Sequence, residues 1–180
     1  MGSHLIWLDL EMTGLDPEKG LILEIATVVT DSGLEIVAEG PNIAINHPEE
    51  SLHAMEAWSR SQHEASGLLE RVKNSSCDEQ KAEQKTLGFL SKHCRKGESP
   101  LCGNSVWQDR RFLIKHMPTL EVFLHYRNID VSTIKELVRR WYPSLPPCKK
   151  KKAHLALSDI KESIKELKYY RESVFLPKIW

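Results

Sequence analysis

The run LILEIATVVTD, Leu21 to Asp31, constrains this chain more than any other stretch. It is rich in β-branched residues and nearly continuously apolar, the pattern of a strand covered on both faces rather than one lying on water. Any fold that accommodates it must put a layer on each side. Leu5 to Leu10 reads as a strand before it, and LEIVAEG, after the Ser32-Gly33 turn, reads as a third, with NIAINH (Asn42 to His47) as its extension. Three such strands joined through short connections predict an antiparallel meander.

Beyond His47 the apolar period changes from strand to helix. Helix-spaced positions run over 49–60 and again over 76–93, where Ala82, Leu87 and Leu90 share a face. Ser99 to Gly103 is a short strand, QDRRFLIKHM a helix that stops before Pro118, and YRNIDV a further strand. Thr133 and Glu136 have capping-box spacing and open a helix reaching Trp141. Pro143, Pro146 and Pro147 then make a loop that continues into Lys149 to Lys152, and a last helix carries Ile160, Ile164, Leu167 and Arg171 on one stripe. A meander followed by alternating strands and helices predicts an α/β fold, a mixed sheet with helices on both faces. Residues 1–4 read as an expression-tag scar (Gly2-Ser3-His4) and 5–180 as a single domain.

Charge excludes one class of partner. Lys+Arg and Asp+Glu are both 25, so a basic wrapper for long nucleic acid is disfavoured, while a small anion held by local charges stays open. Cys77, Cys94, Cys102 and Cys148 are scattered, which predicts free thiols rather than a zinc site or a disulfide framework. No apolar run approaches the roughly 18 residues of a membrane span, and no signal peptide is visible, so a soluble cytoplasmic protein is expected.

Two acids interrupt the first strand. Residues two apart in a strand share a face, so Asp9 and Glu11 in LIWLDLEMTGLD project together near its C-terminal end. Carboxylates this close repel unless protonated or bridged by a cation, and oxygen-only ligands select Mg²⁺ or Mn²⁺. Taken alone, the pair is better read as a strand end reaching solvent or as acids neutralised by Lys or Arg than as a metal site. In GNSVWQDRRFL, Asp109 falls in the first turns of a helix, where the helix dipole by itself favours an acid. In AHLALSD, His154 precedes Asp159 by five positions. On a regular helix these are ~140° apart, so they converge only with His154 on the incoming loop.

Taken together, DLE, NSVWQDRRFL and H-x-A-x-x-D resemble the three motifs of the DEDDh 3′→5′ exonucleases. Within them, WLDLEMTGLDPE, LEIATVVTD, GNSVWQDRRFL and HYRNIDVSTIKELVRRWYP resemble the oligoribonuclease family almost end to end. The resemblance implies a ribonuclease H-like fold with a five-stranded mixed sheet. It implies that Asp9, Glu11, Asp109 and Asp159 hold two divalent cations, Mg²⁺ or Mn²⁺, with Asp109 acting directly or through water. His154 would be the general base. The implied reaction is hydrolysis of very short RNA, especially 5′-phosphorylated diribonucleotides, to 5′-mononucleotides.

The same resemblance assigns the substrate contacts. Leu15 and Trp58 correspond to residues packing on the 3′ base; on its own pattern Trp58 is equally a core residue of an amphipathic helix. Ser105, Arg127, Ser132 and Thr133 correspond to a cap on the 5′ phosphate, where backbone N–H groups opening a helix favour an anion. Tyr126 is implied to reach across a homodimer interface. The lysine run reads as a solvated loop whose field attracts anions at low salt. Two other readings stand beside this one: another DEDDh exonuclease, of proofreading or tRNA-trimming type, and an inactive RNA-binding module of the same fold.

Overall fold

A computed structural model describes residues 4–149 and 155–175 of the chain. His154 and Lys150 to Lys152 lie outside the described residues, as do Met1 to Ser3. In chain order the elements are β1 (Leu5–Met12), β2 (Ile22–Thr30), β3 (Ile36–Ala44), α1 (Glu49–Leu52), α2 (Ala57–Ala65), α3 (Leu68–Lys73), α4 (Glu79–Leu90), β4 (Pro100–Gly103), α5 (Val106–His116), α6 (Pro118–Phe123), β5 (His125–Asp130), α7 (Val131–Trp141) and α8 (Ala156–Val174). The five strands form one mixed sheet in the order β3-β2-β1-β4-β5. The meander β1-β2-β3 is antiparallel, whereas β4 runs parallel to both β1 and β5.

Every residue of β2 is buried, as its unbroken apolar run requires. The alternation of β1 sorts the two layers. Ile6, Leu8 and Leu10 pack with Ala82 and Leu90 of α4 and with Phe112 and Leu113 of α5. Trp7 turns to the opposite face with Ala26 and Val28, against Val138 of α7 and Ile160 and Ile164 of α8. Each such side chain contributes about 1.5–3 kcal/mol when fully buried, so both layers hold the sheet firmly. Arg171, at the end of the α8 stripe, donates to the Gly33 carbonyl at 2.7 Å and fastens the helix to the β2–β3 turn.

Two local expectations are corrected and a third, the helix stop before Pro118, holds with an added helix after it. The helical stretch at 49–60 is two helices, with Met55 buried in the break between α1 and α2. Pro118 ends one helix but also starts α6, where its missing N–H falls in the first turn and costs no hydrogen bond. The helix expected to open at Thr133 starts at Val131 instead, capped by Asp130, whose carboxylate accepts from the Ser132 N–H at 2.9 Å. Asp130 is a carboxylate on extended backbone at the positive end of the helix dipole, and it displaces the weaker Thr133 cap. All four cysteines are free thiols, two of them (Cys77 and Cys102) buried. His4, set aside with the tag on sequence grounds, lies against the His93 carbonyl through its Nδ1 at 2.7 Å.

Candidate active site

Trp7 faces the α8 layer, and strand alternation puts Asp9 and Glu11 on that same face. Asp159 stands in the first turn of α8. Oxygen atoms of Asp9, Glu11 and Asp159 lie within 4.8 Å of one another. α8 begins at Ala156, so Asp159 is in its opening turn; the expected approach of His154, which lies outside the described residues, falls on no described atom.

What aims α8 at the strand is a residue the sequence did not single out. Glu24 sits directly opposite Glu11 in the β1–β2 register and is wholly buried. Its Oε2 accepts from the backbone N–H of Ala156, the first residue of α8, at 3.1 Å. Its Oε1 is ion-paired with Arg71 of α3 at 2.5 Å. A buried carboxylate is tolerated when so compensated, and here the compensation also fixes where Asp159 stands.

Asp109 approaches from α5 and is buried; its Oδ1 accepts from the Leu10 N–H at 3.0 Å. Strand pairing of β1 with β4 ends at Trp7 and Cys102, so Asp109 takes over a main-chain donor that the sheet leaves unmatched. The four acids strain one another. Burial first, then the charges of Asp109, Glu11 and Asp159, raise the Asp9 carboxyl well above the usual range. Burial and the neighbouring Asp159 push Glu11 up to about 8. Burial pushes Asp109 up to about 7, against the lowering pull of the Leu10 N–H.

These residues fit a divalent cation. The convergent donors are carboxylate oxygens alone, a hard set that suits Mg²⁺ or Mn²⁺ better than zinc or copper. Acids held this close repel one another, and such a cation relieves that repulsion. Among the described residues this is the one such cluster of three.

A cleft opens beside Glu11, lined by Met12, Gly14, Leu15, Glu56, Trp58 and His63. Leu15 is 65 % exposed and Trp58 67 % exposed, so the core reading of Trp58 is overturned: its ring faces the cleft and solvent. Leu15 is held by its backbone. Its N–H donates to Glu56 Oε1 at 3.4 Å, and its carbonyl accepts from Gln108 Nε2 at 2.5 Å. His63 is buried, with Nε2 on the Met12 carbonyl at 2.9 Å and Nδ1 at 3.8 Å from Glu11 Oε2. A lone histidine in a helical segment gave no sequence signal for this. Only the fold carries it to the first strand.

Further along the sheet, Ser105 and Ser132 meet, their hydroxyl oxygens 3.1 Å apart. The Ser132 N–H, expected to be open to an anion, is already donated to Asp130, and so is the Ser105 N–H at 2.9 Å. Neither N–H is therefore open to an anion at this point, and the groups left to offer are side chains. Thr133 is exposed on the same helical turn. Arg127 is exposed and stacks over the Tyr126 ring, 5.3 Å from its centroid. Tyr126 is 73 % exposed on β5, an edge strand of the sheet.

Known proteins resemble this chain in sequence and in fold. Residues 6–167 match the RNase_T exonuclease family. The chain is 59 % identical over 175 residues to an oligoribonuclease of Marinobacter nauticus, covering 97 % of both chains. It is 60 % identical to one of Vibrio parahaemolyticus over 96 % of each, and 60 % identical to one of Coxiella burnetii over 94 % of this chain and 93 % of that one. In fold it is similar to E. coli exonuclease I in a zinc-bound complex with single-stranded DNA, at TM-score 0.73 and 12 % identity. That match covers 97 % of this chain and 41 % of the exonuclease I chain. The sheet order and flanking helices are thus those of the ribonuclease H-like fold. Among the described residues, no helix is long and apolar enough to cross a membrane.

Proposed function

We infer the reaction from one premise: this chain belongs to the oligoribonuclease family of exonucleases. It is a metal-dependent 3′→5′ exoribonuclease, and its preferred substrates are 5′-phosphorylated diribonucleotides, which it hydrolyses to 5′-mononucleotides. The observation that carries this reading is the convergence of Asp9, Glu11 and Asp159 at the end of the central strand, with oxygens within 4.8 Å.

Asp9, Glu11 and Asp159 would hold two cations, with Asp109 joining them directly or through water. Bound there, such cations would supply Lewis-acid activation of a water and counter-charge for a leaving 3′ oxygen. His154 accepts the proton of that water at an imidazole nitrogen, and activity falls as the ring becomes protonated. Leu15 and Trp58 pack on the terminal base, a contact that tolerates any sequence. Ser105, Arg127, Ser132 and Thr133 cap the 5′ phosphate and exclude a third nucleotide. A soluble cytoplasmic homodimer is the working assembly, with Tyr126 reaching the partner's substrate. Exposed Trp107, Ile114, Val122 and Tyr126 offer apolar surface for that contact.

A time course on a 5′-labelled diribonucleotide tests the reading, with and without EDTA and alongside Asp109→Ala. Mononucleotide should form only in wild type with added Mg²⁺ or Mn²⁺. Equal efficiency on 5′-phosphorylated two-mers and seven-mers would remove the cap from the proposal, and a monomer by sedimentation would remove the dimer.

A further inference from the structure

Behind the two serines at the proposed 5′-phosphate contact runs a directed chain of hydrogen bonds. It starts at Glu166 of α8, which is 1 % exposed. Glu166 Oε1 accepts from the Tyr170 hydroxyl at 3.0 Å, and Oε2 accepts from Asn104 Nδ2 at 3.2 Å. The same amide nitrogen donates to Ser163 Oγ at 2.7 Å, and the Ser163 hydroxyl donates to the Asp159 carbonyl at 2.8 Å. A carboxylate only accepts, so Asn104 must turn its nitrogen toward α8 and its oxygen away. That oxygen accepts from the Ser132 hydroxyl at 3.0 Å. Ser132 has one hydroxyl proton, now committed, so in the 3.1 Å contact Ser105 is the donor and Ser132 the acceptor.

The backbone beneath is fixed independently. Ser105 sits in left-handed conformation at φ 52, a geometry that costs a non-glycine residue energy and persists only when its surroundings impose it. Asp130 imposes it, accepting from both the Ser105 and the Ser132 N–H. Main chain and side chains of the pair are therefore set by different residues, Asp130 and Asn104.

We propose that Asn104 is a positioning residue for substrate selection: by fixing the direction of the Ser132 and Ser105 hydroxyls, it makes the site prefer a terminal 5′-phosphate monoester over a 5′-hydroxyl end. The Ser105 O–H, which donates to the neutral Ser132 oxygen in the free protein, turns to donate its hydrogen bond to the phosphate, a stronger acceptor, and keeps its proton. A 5′-hydroxyl end offers no such acceptor and gains little. This rests on the reading of Ser105 and Ser132 as the 5′-phosphate contact.

The test compares one diribonucleotide with a 5′ phosphate and with a 5′ hydroxyl, in wild type and Asn104→Leu. It measures kcat and KM with Mn²⁺ and, separately, affinity by calorimetry in EDTA, which is independent of turnover. Asn104→Leu should shrink the phosphate advantage roughly 10- to 100-fold, chiefly in KM, the range of a hydrogen bond to a charged group. Turnover of the 5′-hydroxyl substrate should change far less. If Asn104→Leu fails to fold, Asn104→Ser serves, since its hydroxyl is too short to span Glu166 and Ser132. Equal losses on both substrates, with the phosphate advantage intact, would make Asn104 merely structural and overturn the proposal. A wild type without any phosphate preference would instead overturn the 5′-phosphate reading, and this proposal with it.

Discussion

Glu11 and Glu24 face each other across β1 and β2, one open to the cleft and the other sealed beneath it. Adjacent acids with opposite surroundings do different work. Glu11 is the one proposed to bind a cation; Glu24 is compensated by Arg71 and by the Ala156 N–H, and through the latter it anchors the helix that brings Asp159. Glu24→Ala should leave Arg71 without its acid and the first N–H of α8 without an acceptor. A loss of ~2–4 kcal/mol is expected, read as a Tm drop of roughly 5–15 °C. Glu24→Gln keeps an acceptor for Ala156 and should recover Mn²⁺ binding, followed by calorimetry, better than Glu24→Ala does. Identical Mn²⁺ affinities in the two variants would refute the anchoring role.

Proton and cation compete for the same oxygens. Glu11 has a carboxyl pushed up to about 8 in the fold, against an ordinary value of 4.5 once unfolded. The folded chain thus binds the proton more tightly, and that contribution is complete at low pH and lost as pH rises through 8. In EDTA, Tm should fall from about pH 5 to pH 9 at constant ionic strength, other groups being equal, with Asp109 adding to the trend near 7. Mn²⁺ should therefore raise Tm more at the alkaline end. A Mn²⁺ increment that is largest at low pH would contradict the assignment.

Asp109 has two separable duties, an acceptor for Leu10 and a negative charge beside Asp9. Asp109→Asn keeps the acceptor and removes the charge, so the fold should persist while kcat falls roughly a hundredfold or more. Asp109→Ala also strands the buried N–H and should cost a further ~1–3 kcal/mol in urea unfolding. Equal unfolding midpoints for the two variants would rule out the structural half.

Trp58 is so exposed that its removal leaves the core untouched. Trp58→Ala should change stability by no more than about 0.5 kcal/mol. KM for a diribonucleotide should nonetheless rise roughly tenfold, within the ~1–3 kcal/mol of a stacked base. A destabilised variant with unchanged KM would return Trp58 to a structural role.

Much of this was legible in the chain itself. The uninterrupted Leu21 to Asp31 run announced a strand needing two layers, and the period-2 rule placed Asp9 and Glu11 on one face. Glu24 was invisible for the reason β2 was obvious: inside that apolar run it is one letter, and its partners Arg71 and Ala156 are distant in sequence. Asn104 was hidden differently, because Ser132, Ser163 and Glu166 become its neighbours only once α7 and α8 pack together. At α7 the capping-box spacing pointed to Thr133, whereas β5 ends at Asp130 and makes that residue the cap. Trp58 could not be sorted by pattern, since a cleft residue and a core residue occupy the same helical positions.

The bond from Leu10 to Asp109 also makes the site audible at a single atom. Along most of β1 an amide proton is locked between strands and meets solvent only when the whole domain opens. Leu10 lies past the end of the β4 pairing, so its proton is shielded by a side chain of the active site instead. Its hydrogen-exchange rate consequently reports how often Asp109 swings away. One resonance on the central strand then keeps time for the site, with no substrate present.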